Sequence, residues 1–372
     1  MRRLHLVFLL IIVVLGIGLI LSTLEKRIAV HLQERSRVLH ARGDRYMQQG
    51  RYQEAEQALK AALFIAERYP IKRKRDSLKV AAILTSLSNT YSYEGRYSEA
   101  LPLYKRALEI REKRLTPDHP LIATALNNLG ATYSSLDKFV EAEDLLKRSL
   151  AIDTSRPDTC KCAVALNNLG KLYEQQGRVD EAETLYKQAI EKTEESSGTG
   201  CRNYPIIMYN LAELYAEQDR CEEAEVLFKR TLEIQKRMLG SKHPSLAPTL
   251  AGLAGVYVGV NYTEARHLFS QAIEVLDGAD SKDYWSLATY TFRNAHSHLM
   301  DGEYEAAHDL FERSLSIRRK VYGENSEEVV RAIKYYAEDL EYLGQIDEAN
   351  KVLTLLESIQ ESPLRDDEGG AD

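Results

Sequence analysis

Proline is scarce in this chain, nine in 372 residues, and cysteine scarcer still, at four. With so few helix breakers, most of the length is free to be helical. No glycine-rich phosphate loop, nucleophile elbow or HExxH occurs, which removes the usual signatures of phosphate, acyl and zinc-hydrolase chemistry. His296 and His298 are two apart, so on a helix they point to different faces and cannot share a metal. Cys160, Cys162, Cys201 and Cys221 are separated by gaps unlike those of a zinc knuckle. His119 and His243 fall in turns and read as caps. The sequence therefore predicts neither an enzyme nor a bound cofactor or metal.

Charge is abundant and unevenly placed. Residues 1–80 hold 16 Lys and Arg against 7 Asp and Glu, whereas the whole chain has a net charge of −7. So acidic a body argues against a nucleic-acid partner. Behind Arg2 and Arg3 runs LVFLLIIVVLGIGLIL (6–21), sixteen residues without a charge. That approaches the roughly 20 needed to span a bilayer. A secretory signal peptide competes, but bulky Ile20 and Leu21 precede the only small residues, Ser22 and Thr23. The reading favoured is a transmembrane signal anchor over 1–24, a juxtamembrane helix over 25–34 and an acidic disordered tail over 359–372. Positive charge flanks the run on both sides, and the arginines of the short leader favour an extracytoplasmic body. Lys72, Arg73, Lys74 and Arg75 form a basic cluster suited to anionic lipid.

Between these ends the chain repeats itself. ALNNLG occurs at 125–130 and again at 165–170, each followed by a tyrosine, Tyr133 or Tyr173. Aligned on one alanine, the copies fall at Ala55, Ala100, Ala142, Ala182, Ala224, Ala265, Ala307 and Ala349, with spacings of 45, 42, 40, 42, 41, 42 and 42. The turn before the alanine recurs as QGRYQEA, EGRYSEA and QGRVDEA. Leu126, Leu129, Gly130 and Tyr133 form one helical stripe, and Ala182, Leu185, Tyr186, Ala189 and Ile190 another. Each unit is thus two helices joined by a turn, and stacking of units makes the core.

L-G-x-x-Y followed by G-x-Y-x-E-A resembles the tetratricopeptide repeat, and YKRALEIREKRLTPDHP (104–120) is similar to the subclass found in kinesin light chains. The resemblance implies an all-α fold over 35–358: an α-solenoid of about eight helix-turn-helix repeats forming a right-handed superhelix, here preceded by one transmembrane helix. It also implies protein binding. Repeat 7 departs from the pattern with Asn294 and His298 in the leucine and tyrosine slots, and repeat 1 with Arg42.

On a helical wheel Asn128 lies opposite the apolar stripe, and Asn127 points toward the neighbouring repeat. In tetratricopeptide arrays the Asn128 slot faces the concave groove, where asparagine commonly bonds the main chain of an extended peptide. An amide can serve both N–H and C=O of such a chain. The resemblance therefore assigns a peptide-binding groove to Asn128, Asn168 and Asn210, with Lys171, Gln175, Arg293 and Tyr335 beside them. Asn127 and Asn167 read as struts between helices. Matching positions in adjacent repeats make a disulfide between Cys160 or Cys162 and Cys201 conceivable, against buried or idle thiols. The function expected is a membrane-tethered scaffold for a partner peptide or protein; the alternative is an oligomerising accessory subunit whose groove stays empty.

Overall fold

The computed structural model describes the backbone of residues 2–69, 74–154, 159–195, 201–279 and 283–361, with side chains at the amino-terminal end from residue 23 onward. These residues form sixteen α-helices and one short 3-10 turn, with no strand among them. The helices pair in order. The first four hairpins are α1 (Arg2–Gln48) with α2 (Tyr52–Arg68), α3 (Lys74–Tyr93) with α4 (Tyr97–Glu112), α5 (Pro120–Ser134) with α6 (Phe139–Thr154), and α7 (Thr159–Gln175) with α8 (Val179–Glu195). They belong to one unit, Met1–Gly198. A second unit, Thr199–Asp372, holds α9 (Tyr204–Glu217) with α10 (Cys221–Leu239), α11 (Ala247–Tyr257) with α12 (Tyr262–Asp277), α13 (Tyr284–Met300) with α14 (Tyr304–Tyr322), and α15 (Glu327–Tyr342) with α16 (Ile346–Glu361). Within each unit every hairpin packs on the next.

The eight alanines used to align the repeats are all 0% exposed. They mark where the second helix of a hairpin presses on the first, and small residues face them. A Cβ added at Gly130 would stand 2.7 Å from Leu146, and one at Gly170 would stand 2.9 Å from Tyr186. Serines pin the same hairpins: Ser149 Oγ donates to the Ala123 carbonyl at 2.8 Å and Ser314 Oγ to that of Ala288 at 2.7 Å. Turn glycines such as Gly95 and Gly177 adopt a φ near +72°, the left-handed conformation that ends a helix cheaply only without a side chain. His119 and His243 cap as expected, each Nδ1 accepting a backbone N–H two residues on, from Leu121 at 3.1 Å and Ser245 at 3.2 Å.

One expectation is overturned. Among the described residues no helix is long and apolar enough to cross a membrane, so the single-pass anchor and the extracytoplasmic placement of the array are withdrawn. The physical reason lies in α1. From Thr23 it carries Glu25, Arg27, Glu34, Arg35 and Arg37, too many charges for hydrocarbon. The helix then serves the first hairpin: Gln33 Nε2 donates to the Tyr69 carbonyl at 2.8 Å and Ser36 Oγ to that of Ala62 at 2.7 Å. The apolar run 6–21 lies outside the residues whose side chains are described. So do the basic cluster Lys72, Arg73, Lys74 and Arg75 and the tail beyond residue 361.

Candidate functional site

In the first unit the two leading asparagines of the expected groove differ in their surroundings. Asn168 Nδ2 donates to Asn127 Oδ1 at 3.0 Å, tying α7 to α5. The same step one junction pair earlier is made by His40 Nε2 and Ser86 Oγ, 3.0 Å apart. Asn128, by contrast, makes no side-chain hydrogen bond among the described residues. It lines a cavity of about 270 Å³ together with Asn89, Tyr93, Tyr97, Tyr104 and Ser135. Lys171 is exposed on α7, and Gln175 Oε1 accepts the Ser134 hydroxyl of the preceding repeat.

That cavity has a structural origin. One repeat earlier Tyr52 stacks on Tyr93, with centroids 5.9 Å apart and planes at 10°. Tyr97 occupies the place of Tyr52 in the next repeat, but the residue facing it is Ser135, so the space of one aromatic ring is open. Ser92 Oγ, enclosed at its edge, makes no hydrogen bond although it faces the Tyr104 hydroxyl. Burial pushes the Tyr104 phenol up to about 12, and its hydroxyl donates to Asn89 Oδ1 at 2.5 Å. The tyrosine walls were not singled out from the sequence; the change from Tyr93 to Ser135 at equivalent positions was the signal available.

In the second unit Asn210 is half-buried on α9, and Arg293 is exposed on α13. Two glycines of α11 make room beside them. A Cβ at Gly252 would stand 2.9 Å from Glu213 Oε1, and one at Gly255 would stand 3.9 Å from Arg293 Nη1. Tyr209 and Tyr290 join this group, both phenols pushed up chiefly by burial, then by Glu213 for Tyr209 and by Asp283 for Tyr290. Tyr335 and Tyr342, at 53% and 83% exposure, are not packed within the last repeat.

A second recurring constellation sits between repeats. Tyr173 donates its hydroxyl to Glu143 at 2.9 Å. The Arg178 guanidinium lies 3.5 Å from the centroid of that ring and reaches Glu181 at 2.6 Å. Tyr91, Arg96, Glu56 and Glu99 repeat the arrangement: the hydroxyl bond is 3.0 Å, the guanidinium is 4.2 Å from the ring, and its bonds to Glu56 and Glu99 are 2.8 and 2.7 Å. The Arg96 hydrogen bond is the main reason the Glu56 carboxyl falls to about 2. These are ionic struts that hold repeats together.

Cys162 and Cys201 are buried and Cys221 is exposed. Cys160 and Cys162 belong to the first unit and Cys201 to the second, so the expected pairing joins residues of different units and remains an expectation.

A family model described as tetratricopeptide repeat matches residues 34–113, 79–155, 161–237, 203–277 and 285–362. No curated protein matches the sequence. Among solved structures, the apo form of the quorum sensor NprR from B. thuringiensis is 14% identical, with a TM-score of 0.61 over 87% of each chain. The Rap conjugation gene regulator of the plasmid pLS20, in complex with the Phr* peptide, is 15% identical, with a TM-score of 0.58 over 88% of this chain and 96% of that one. Kinesin-light-chain TPR-like repeats of Podosopora anserina are 23% identical over 55% of this chain and 99% of theirs, with a TM-score of 0.44. At such identities the likeness to NprR and to the Rap regulator shows the fold alone.

Proposed function

The chain belongs to the tetratricopeptide repeat family, and from that premise we propose that it is a protein-interaction scaffold that holds an extended peptide or a segment of a partner protein. In this reading a peptide lies along the first helices of the repeats of the first unit, where Asn128, Asn168, Lys171 and Gln175 are the contact residues. Asn210, Arg293 and Tyr335 are the contacts proposed for the second unit, taken by itself. Asn128 carries the proposal. Its amide makes no hydrogen bond among the described residues, and it borders an open cavity walled by tyrosines. A half-buried amide at such a place has both donors and an acceptor to offer a backbone. The cavity beside it admits one flat side chain of the ligand. Asn168, already bonded to Asn127, contributes through its remaining N–H. The Phr* complex of the similarly folded Rap regulator is consistent with peptide binding on such a frame.

Affinity purification of the tagged full chain, with bound proteins identified by mass spectrometry, tests the reading against two variants. Asn128→Ala removes the amide, and Ser135→Tyr refills the cavity in the manner of Tyr93. Each lost backbone bond should weaken binding by about 0.5–1.5 kcal/mol. Loss of the same partner by both variants at unchanged melting temperature is the expected result. A partner retained by both would remove the groove as the binding surface.

A further inference from the structure

We propose that the cleft formed by α14, α15 and α16 receives an arginine side chain from a partner protein. The cleft has a volume of about 540 Å³ and is a different surface from the one holding Asn128, so the proposal does not rest on the groove reading. Its floor is apolar, made by buried Tyr336, Leu340 and Val352. Its rim carries three exposed carboxylates, Glu305, Asp309 and Glu348.

The register of the repeats, rather than the acidic rim, says what is missing. Counted from the aligned alanine, Leu340 stands where Tyr91 and Tyr173 stand in earlier repeats, and Gln345 stands where Arg96 and Arg178 stand. His308 takes the place of Glu56 and Glu143. At those earlier junctions the same space is filled by a guanidinium lying on a tyrosine ring and bonded to the glutamate just before the alanine. At the last junction that glutamate, Glu348, is kept, while the ring and the guanidinium are both gone. Among the described residues Glu348 pairs only with exposed Lys351, at 2.6 Å, a contact of the kind worth little in water. The result is an apolar-floored void with retained carboxylates where the fold elsewhere seats an arginine.

A guanidinium suits this shape better than an ammonium. It is flat and weakly hydrated, so it can lie on an apolar floor while its fork engages two carboxylates. The local field has the right sign as well: burial, with Asp339, Glu312 and Glu348 behind it, pushes the Tyr336 phenol up.

The test titrates the full chain with N-acetyl-arginine amide while following methyl resonances of Leu340 and Val352. The citrulline and lysine analogues are the controls. Saturable shifts at both residues with the arginine probe are expected, with weaker ones from lysine and none from citrulline. Glu305→Gln with Glu348→Gln should weaken binding roughly tenfold, the effect of losing charge-assisted bonds. Gln345→Arg, which restores the chain's own guanidinium, should leave the fold intact and abolish binding. Absence of shifts, equal binding of citrulline, or undiminished binding by Gln345→Arg would each overturn the assignment.

Discussion

Arg266 Nη1 lies 2.6 Å from Glu303 Oε1, and the two occupy the places of Glu143 and Arg178 three junctions earlier with their charges exchanged. His298, in the tyrosine slot, holds Glu303 at 2.7 Å, and Arg266 also reaches Asp301 at 2.8 Å. The Arg266–Glu303 contact acts through charge, since Nη1 makes no aligned hydrogen bond. Repeat 7 is therefore not a decayed copy; its junction keeps the ionic strut with reversed polarity.

Reversal of that kind makes single and double substitutions behave differently. Glu303→Arg sets two cations together beside largely buried Arg266 and should cost about 1–2 kcal/mol in urea unfolding. Adding Arg266→Glu should recover most of the loss, though not all, because Asp301 then faces a like charge. A double variant no more stable than the single one would show that the charges do not communicate.

Asn128 and Asn168 provide a second contrast. Asn168→Ala breaks the bond to Asn127 and leaves a buried amide oxygen unpaired, which should lower stability by about 1–2 kcal/mol. Asn128→Ala removes no such bond and should stay within about 0.5 kcal/mol. Chemical-denaturation midpoints of the two variants decide, and equal losses would contradict the difference in their surroundings.

These pairs also show how far the sequence reaches. The hairpins were legible because the alanine slot is read from one residue type at a fixed period, and all eight alanines are fully buried. Asn127 pointing toward its neighbour was legible too, from the helical wheel. The unequal roles of Asn128 and Asn168 were not, because both sit in the same LNNLG and differ only in what the preceding repeat presents: Thr85 in one case, Asn127 in the other. The tyrosine-walled cavity escaped notice for a similar reason, being made by an absence at Ser135. Asn294 looked like a defect in the leucine slot, yet its Nδ2 donates to Ser270 at 3.1 Å, a compensation supplied by another helix. The membrane anchor was read from the hydropathy of 6–21 alone, whereas no helix among the described residues is long and apolar enough to cross a membrane.

Acid should loosen the first junction. Glu56 titrates near 2 in the folded protein because Arg96 holds its charged form, followed by Lys60 and Tyr91. A depressed folded value means this stabilisation is complete above the ordinary carboxylate range and is lost as pH falls from about 4.5 toward 2. Glu56→Gln should therefore melt lower than the parent at pH 7, by on the order of 1 kcal/mol, and the gap should narrow below about pH 4.5 and close only near pH 2. A gap independent of pH would mean that the Glu56 charge is not what is lost.

Cysteine reactivity should follow burial. Burial, then Asp153, pushes the Cys162 thiol up, and Cys221 is exposed. Iodoacetamide at pH 8 should modify Cys221 at least about tenfold faster than Cys162, and peptide mass mapping after timed quenching reads the ratio. Comparable rates would mean that α7 opens readily. The same digest, run without reductant, reports whether Cys160 or Cys162 is joined to Cys201.

Packing of each hairpin on the next also bears on how the chain reaches its fold. Within each unit almost every contact joins residues no more than a few tens of positions apart, so the entropy of closing long loops hardly enters. The hairpin of α1 and α2 has its partner α3 as soon as residue 93 has been synthesised, and within a unit each later pair needs only the pair before it. Order can thus advance along a nascent chain in the direction of its synthesis, with no wait for the carboxyl end.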